Sequence, residues 1–150
     1  MTGTKNSFFA HMMLFLIALF AVSCSQTKNT LMLRGWHNMN ARYNGYFYSK
    51  ENLKESAKKV EKATKDDFTR LLPVFVYPDN ESAKNFYNDF DNTIKKSSIV
   101  IQRHVIMNPK SKLEIPNACR WIDENYLLIG QSHLYKRDLF SALEAFEYVA

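Results

Sequence analysis

The chain has 150 residues, a formal net charge of +5, 46% hydrophobic residues, and only four glycines, four prolines and two cysteines. This composition excludes a disulfide-built scaffold and a low-complexity disordered chain, and it allows about one domain with its own core. The excess of cations is mild and sits among alternating Lys and Glu, as in "KENLKESAKKVEKATKDD", which reads as a solvated helix face rather than a nucleic-acid footprint.

Residues 1–23 read as a secretory signal peptide. Lys5 supplies the cationic start, and an apolar run from Met12 to Val22 follows, too short to span a bilayer as a stable helix. The run closes on Ala21-Val22-Ser23-Cys24, which resembles a bacterial lipobox. The resemblance implies that Cys24 becomes the new N-terminus. Its sulfur takes a diacylglycerol in thioether linkage and its freed amine a further acyl chain; two or more chains make a stable anchor. Residues 24–30 then form a lipidated tether, and outer-membrane lipid is the first partner. With Cys24 so used, Cys119 has no disulfide partner in the chain and is expected as a small buried residue near a helix start.

Residues 31–116 read as an N-terminal helical region with a Pro-broken connector. Leu33, Trp36, Asn40, Tyr43 and Phe47 recur at spacings of three and four and predict one largely apolar helix face over about 31–48. Ser49 is the candidate N-cap of a second helix in which Leu53, Ala57, Val60 and Thr64 line one side. The two stretches predict a helical hairpin. The aromatic cluster Tyr43, Tyr46, Phe47 and Tyr48 is expected as its core rather than as a partner-binding patch. Pro73 and Pro78 bracket "VFVY" and forbid a regular helix there. An extended connector packing Leu71, Leu72, Phe75 and Tyr77 onto the helices is expected. Asp79 or Asn80 then caps a helix to about Met107, with Phe86, Phe90, Ile94, Ile101 and Val105 on its apolar face and Ser98 in the gap. After the break at "NPKSKLEIPN", Asn117 is the candidate cap of a last helix pair, about 118–135 and 138 to the end.

The absence of paired strand signals predicts an all-α fold. The last pair, 117–150, is similar to the tetratricopeptide repeat, a 34-residue helix-turn-helix. With Gly130 at the repeat's glycine, Tyr126 takes the large aromatic position, Ile129 the leucine, His133 the tyrosine, Ala142 the small residue and Phe146 the second-helix aromatic. Gly130 and Ala142 would let two helix backbones approach, with Tyr126, Ile129 and Phe146 filling the space around them. One unit does not bury its apolar face alone. An α-solenoid continuing beyond Ala150 is therefore expected, covering Leu143, Phe146 and Val149. In such an array Glu124, Leu127, Gln131, Leu134 and Tyr135 face a concave partner groove; the spacing alone leaves Leu127 and Leu134 equally readable as core.

The lipobox cysteine, "WHNMNARYNGYFY", "FTRLLPVFVYPD", "KKSSIVIQRHVI" and "RWIDENYLLIGQSHLYKRDLFSALEAFEYV" together resemble the N-terminal part of the tetratricopeptide lipoproteins of gliding motility and type IX secretion in Bacteroidota, the SprE/PorW type. The resemblance implies an outer-membrane lipoprotein that binds other proteins of the secretion machinery. The tether lacks acidic residues, so a periplasm-facing domain is expected. A helical-repeat surface lipoprotein of glycan or nutrient uptake is the alternative. Catalysis is not expected, nor are a cofactor, a metal, a small-molecule substrate or nucleic acid. His37, His104 and His133 are far apart in sequence with no metal-site spacing. The acidic pairs Asp66-Asp67 and Asp123-Glu124 do not share a helix face, and no nucleophile motif is present.

Overall fold

The computed structural model describes residues 12–13, 29–69 and 71–150. Apart from Met12 and Met13, the expected signal peptide over 1–23 lies outside the described residues, as do the lipidation site Cys24 and the tether up to Lys28. The described residues are predominantly helical and contain no strand, only an isolated antiparallel bridge between Met107 and Glu114.

Thr30 opens the first helix, its hydroxyl accepting the Leu33 N–H at 3.3 Å. Helix α1 (Leu31–Asn40) passes without interruption through a π-helical segment (Ala41–Tyr46) into α2 (Phe47–Ala63). This corrects the expected hairpin. Ser49 is no N-cap; it is fully buried inside a continuous helical run. Gly45, a poor helix former, is a contact point. A Cβ there would lie 2.2 Å from Val100 Cγ2, so only glycine admits the approach of the neighbouring helix.

That approach decides which face turns inward. His37, Ala41, Ser49, Leu53, Ser56 and Val60 are buried, while Trp36, Met39, Tyr43, Phe47 and Tyr48 are exposed. The expected apolar face is therefore largely the outer one, and the aromatic cluster is not core. Close helix packing selects for small side chains along the seam, and large rings have no room there. Only Tyr46 of the cluster packs inward, its ring 4.9 Å from that of Trp121.

The connector also departs from expectation. Leu71, Leu72, Phe75 and Tyr77 are exposed, as are Phe68 and Val74; Pro78 is buried, and Val76 is half-buried against the core. Two prolines hold this backbone extended; Val76 and Pro78 turn inward, Tyr77 keeps one expected contact, its ring 5.0 Å from that of Tyr135, and Leu71 and Leu72 stay outside. Asp79 then caps the next helical stretch, accepting from the N–H groups of Glu81 and Ser82 at 3.0 and 2.7 Å. A 3-10 turn (Ser82–Phe86) leads into α3 (Tyr87–His104), which stops short of the expected Met107 because Val105 is extended.

The buried positions of α3 are Phe90, Thr93, Ser97 and Val100, not Ile94 and Ile101, which are half-buried flanks. The polar seam is explained by its neighbour: Asn52 of α2 donates to the Asp89 carbonyl at 3.1 Å and to Thr93 Oγ1 at 2.8 Å. Ser49 and Ser97 Oγ find no hydrogen-bond partner among the described residues and act as small spacers. Two apolar clusters complete the core: Ala41, Val100, Cys119 and Ile122 in one, and Leu53, Val60, Phe90 and Leu128 in the other.

Helix α4 (Trp121–Tyr135) starts later than expected, and Asn117 does not cap it; Asn117 takes a left-handed conformation at φ 57° in the preceding turn. The capping comes from another helix. Asn38 of α1 accepts the Arg120 N–H at 3.0 Å and donates to the Ala118 carbonyl at 3.0 Å. The α4 C-terminus closes on Arg137 at φ 63°, with the Asp138 N–H on the His133 carbonyl and the Arg137 N–H on that of Leu134, the paired bonds of a Schellman motif. Asp138 then caps α5 (Leu139–Val149) through the Ser141 N–H at 3.2 Å. Helix α4 packs on both α3 and α5.

Candidate functional site

Helix α4 uses one side for the core, burying Ile122, Asn125, Leu128 and Ser132. Its other side carries Glu124, Leu127, Gln131, Leu134 and Tyr135, and all five line a single cleft of ≈ 700 Å³. Spacings of three and four keep them on one stripe. The opposite wall is α2, through Lys50, Leu53, Lys54 and Ala57, with Phe75 and Tyr77 of the connector and Phe146 of α5 joining it. The sequence pattern holds no signal for the α2 and connector walls, because that side arises only when distant helices meet.

The ends of the cleft are fixed. At one, the Tyr46 hydroxyl donates to Glu124 Oε2 at 3.4 Å. At the other, Tyr135 stacks on buried Phe90 with ring centres 4.8 Å apart and planes 7° apart, and it meets Tyr77 at 5.0 Å. Burial, reinforced by Tyr77 and Glu61, pushes the Tyr135 phenol up, so it stays a neutral ring. An apolar floor with Lys50 and Lys54 facing Glu124 across the rim suits an amphipathic protein segment.

The α4–α5 pair that frames the cleft is tight. A Cβ on Gly130 would lie 2.5 Å from Phe146 Cε1, and Ala142 is buried. Tyr126 stacks on Tyr148 at 3.8 Å. His133 Nδ1 lies 3.2 Å from Asp138 Oδ2, which places this imidazole in the interhelical turn. Leu143 and Val149 are exposed on α5, together with Leu139 and Phe140. Phe146 is not; it covers Gly130.

Two histidines that sequence separates are adjacent in space. His37 Nδ1 and His104 Nδ1 are 3.1 Å apart, so one donates and the other, as a neutral ring, accepts. Trp36 meets the His37 ring edge-on at 4.9 Å. Burial holds His37 below the ordinary imidazole range; burial, His37 and Arg103 push His104 down to about 4. Imidazoles held low in the folded state add stability that is complete above their unfolded value and is lost as pH falls towards the folded one. Between about pH 7 and pH 4.5, thermal melts should lose on the order of 1–2 kcal/mol from this pair, discounted because His104 is only half-buried. His104→Phe should flatten most of that loss; an unchanged slope would place its origin elsewhere. Asp79 and Asp138 are held low by hydrogen bonds from Ser82 and Ser141, so their contribution is lost only below the usual carboxylate range.

Cys119 is buried in the core and its thiol is pushed up by burial, which keeps it protonated and unreactive. Among the described residues no group of three His, Cys, Asp or Glu side chains is placed to hold a metal ion, and no helix is long and apolar enough to cross a membrane. No protein-family model matches the chain, and no curated protein matches it.

Proposed function

We propose that this protein is a lipid-anchored helical scaffold of the bacterial outer membrane that holds a segment of another envelope protein in the cleft between α2 and α4. Cys24 carries the acyl chains. The α4–α5 hairpin is a first tetratricopeptide-type unit, and the exposed Leu139, Leu143 and Val149 form a face of the kind a stacked neighbouring unit covers. The motif resemblance supplies the class of partner, components of the type IX secretion and gliding machinery, and the lack of acidic residues in the tether supports a domain facing the periplasm.

The observation that carries the reading is the cleft. Glu124, Leu127, Gln131, Leu134 and Tyr135 line one groove of ≈ 700 Å³ with an apolar floor. A groove walled by two helices and closed by rings recognises apolar side chains by shape. The test separates anchor from cleft. Cys24→Ala should move the protein from the membrane fraction to the soluble fraction. Leu134→Glu should leave it in the membrane and abolish co-purification of its partner. A Cys24→Ala protein that stays in the membrane contradicts the anchor, and an undiminished partner yield with Leu134→Glu contradicts the cleft.

A further inference from the structure

The outer face of the first helix changes character along its length. Met32, Trp36, Met39, Tyr43, Phe47 and Tyr48 are between 40% and 87% exposed. Beyond them the exposed positions are mostly charged, among them Lys50, Lys54, Glu55, Lys58, Lys59, Glu61 and Lys62. The ring-bearing half is not waiting for the bundle, because the seam of the same helix is already filled by Ala41, Gly45 and Ser49 against α3. A contiguous apolar face of this kind marks an interaction surface.

Its chemistry and its place in the chain both specify the partner. Trp and Tyr present an apolar body with a polar edge, and they concentrate where acyl chains meet headgroups. The Arg42 guanidinium lies 5.0 Å over the Tyr43 ring, which sets a cation beside the rings, where anionic headgroups attract it. The face also begins at Leu31, directly after the segment from Cys24 to Thr30, which spans at most about 25 Å even when fully extended. The charged half of the helix lies farther along.

We propose that α1 and the π-helical segment lie on the bilayer surface with the Met32–Tyr48 ring face against the lipid, so that the acyl chains and the helix together orient the domain. This rests on the reading of Cys24 as lipidated. The acyl chains hold the protein at the membrane but leave its orientation free, and an amphipathic surface beside them adds the contact that fixes it.

The full-length acylated protein carrying Trp121→Phe keeps Trp36 as its sole tryptophan. It is reconstituted on vesicles of phosphatidylethanolamine and phosphatidylglycerol with or without brominated acyl chains. Contact at the acyl boundary should lower Trp36 emission by about half on the brominated vesicles. Adding Tyr43→Glu and Phe47→Glu should restore the emission while the protein still floats with the vesicles. Unquenched Trp36 in floating protein would overturn the proposal, and so would a ring face found covered by a second copy in cross-linking. Flotation reads the anchor separately. If the acylated protein does not float, the Cys24 reading fails, and Trp36 quenching of the Cys24→Ala chain added to the same vesicles still decides the surface.

Discussion

Phe90→Ala should lower the unfolding free energy by about 3–5 kcal/mol, a large part of the stability of a domain this size. Phe90 is fully buried in the cluster of Leu53, Val60 and Leu128 and lies flat on Tyr135. Its removal leaves a cavity beneath the ring that closes one end of the cleft. Partner binding should therefore weaken along with stability, even at temperatures where the variant is folded. Phe90→Leu keeps most of the volume and should cost roughly half as much. Denaturant unfolding monitored by circular dichroism measures both. Equal, small losses for the two variants would show that Phe90 does not anchor this core.

Gly45→Ala should be the second most damaging change for its size. Alanine is the better helix former by about 1 kcal/mol, so on an open helix surface the change would stabilise. Here the new Cβ meets Val100 at 2.2 Å, and overpacking of this kind costs about 1–3 kcal/mol. Gly35 is the internal control, because a Cβ there meets nothing within 4 Å; Gly35→Ala should be neutral or stabilising. Val100→Ala should rescue Gly45→Ala, with the double variant losing less than the sum of the two singles by about 0.5–3 kcal/mol. Strict additivity, or the same response at both glycines, would mean that α3 does not press on the helix at Gly45.

The contrast between these two glycines shows what the sequence made legible. Helical periodicity marked the helices and the interruptions at Pro73, Pro78 and Pro116. The close approach at Gly130 was readable because a small residue faces an aromatic sixteen places on, across a short turn. The inward face of the first helix was not readable. Buriable apolar area ranks Trp36, Tyr43 and Phe47 above Ala41 and Ser49, whereas a close helix seam ranks side chains by size. The π-helical segment then shifts the register within the run, so a uniform helical period misplaces the positions beyond it. The same ranking misread α3, where Thr93 and Ser97 displace Ile94 and Ile101 from the seam. Long-range polar pairings left no local trace at all. Asn38 capping α4 and the His37–His104 pair join residues that only the folded helices bring together.

For the cleft, the stripe on α4 was visible as a spacing, but its opposite wall was not. Leu127 and Leu134 read equally well as core until α2 and the connector stand across from them. Their partial exposure within the cleft is the property a binding surface needs and a core position lacks.

The most direct test of the cleft as a protein-binding site is site-specific photo-cross-linking in the acylated full-length protein in its own cells. A photoreactive residue in place of Gln131, inside the cleft, should form one discrete adduct with a protein of the envelope. The same residue in place of Ser98, exposed on α3, should form none. No adduct from Gln131, or the same adduct from both positions, would contradict the account.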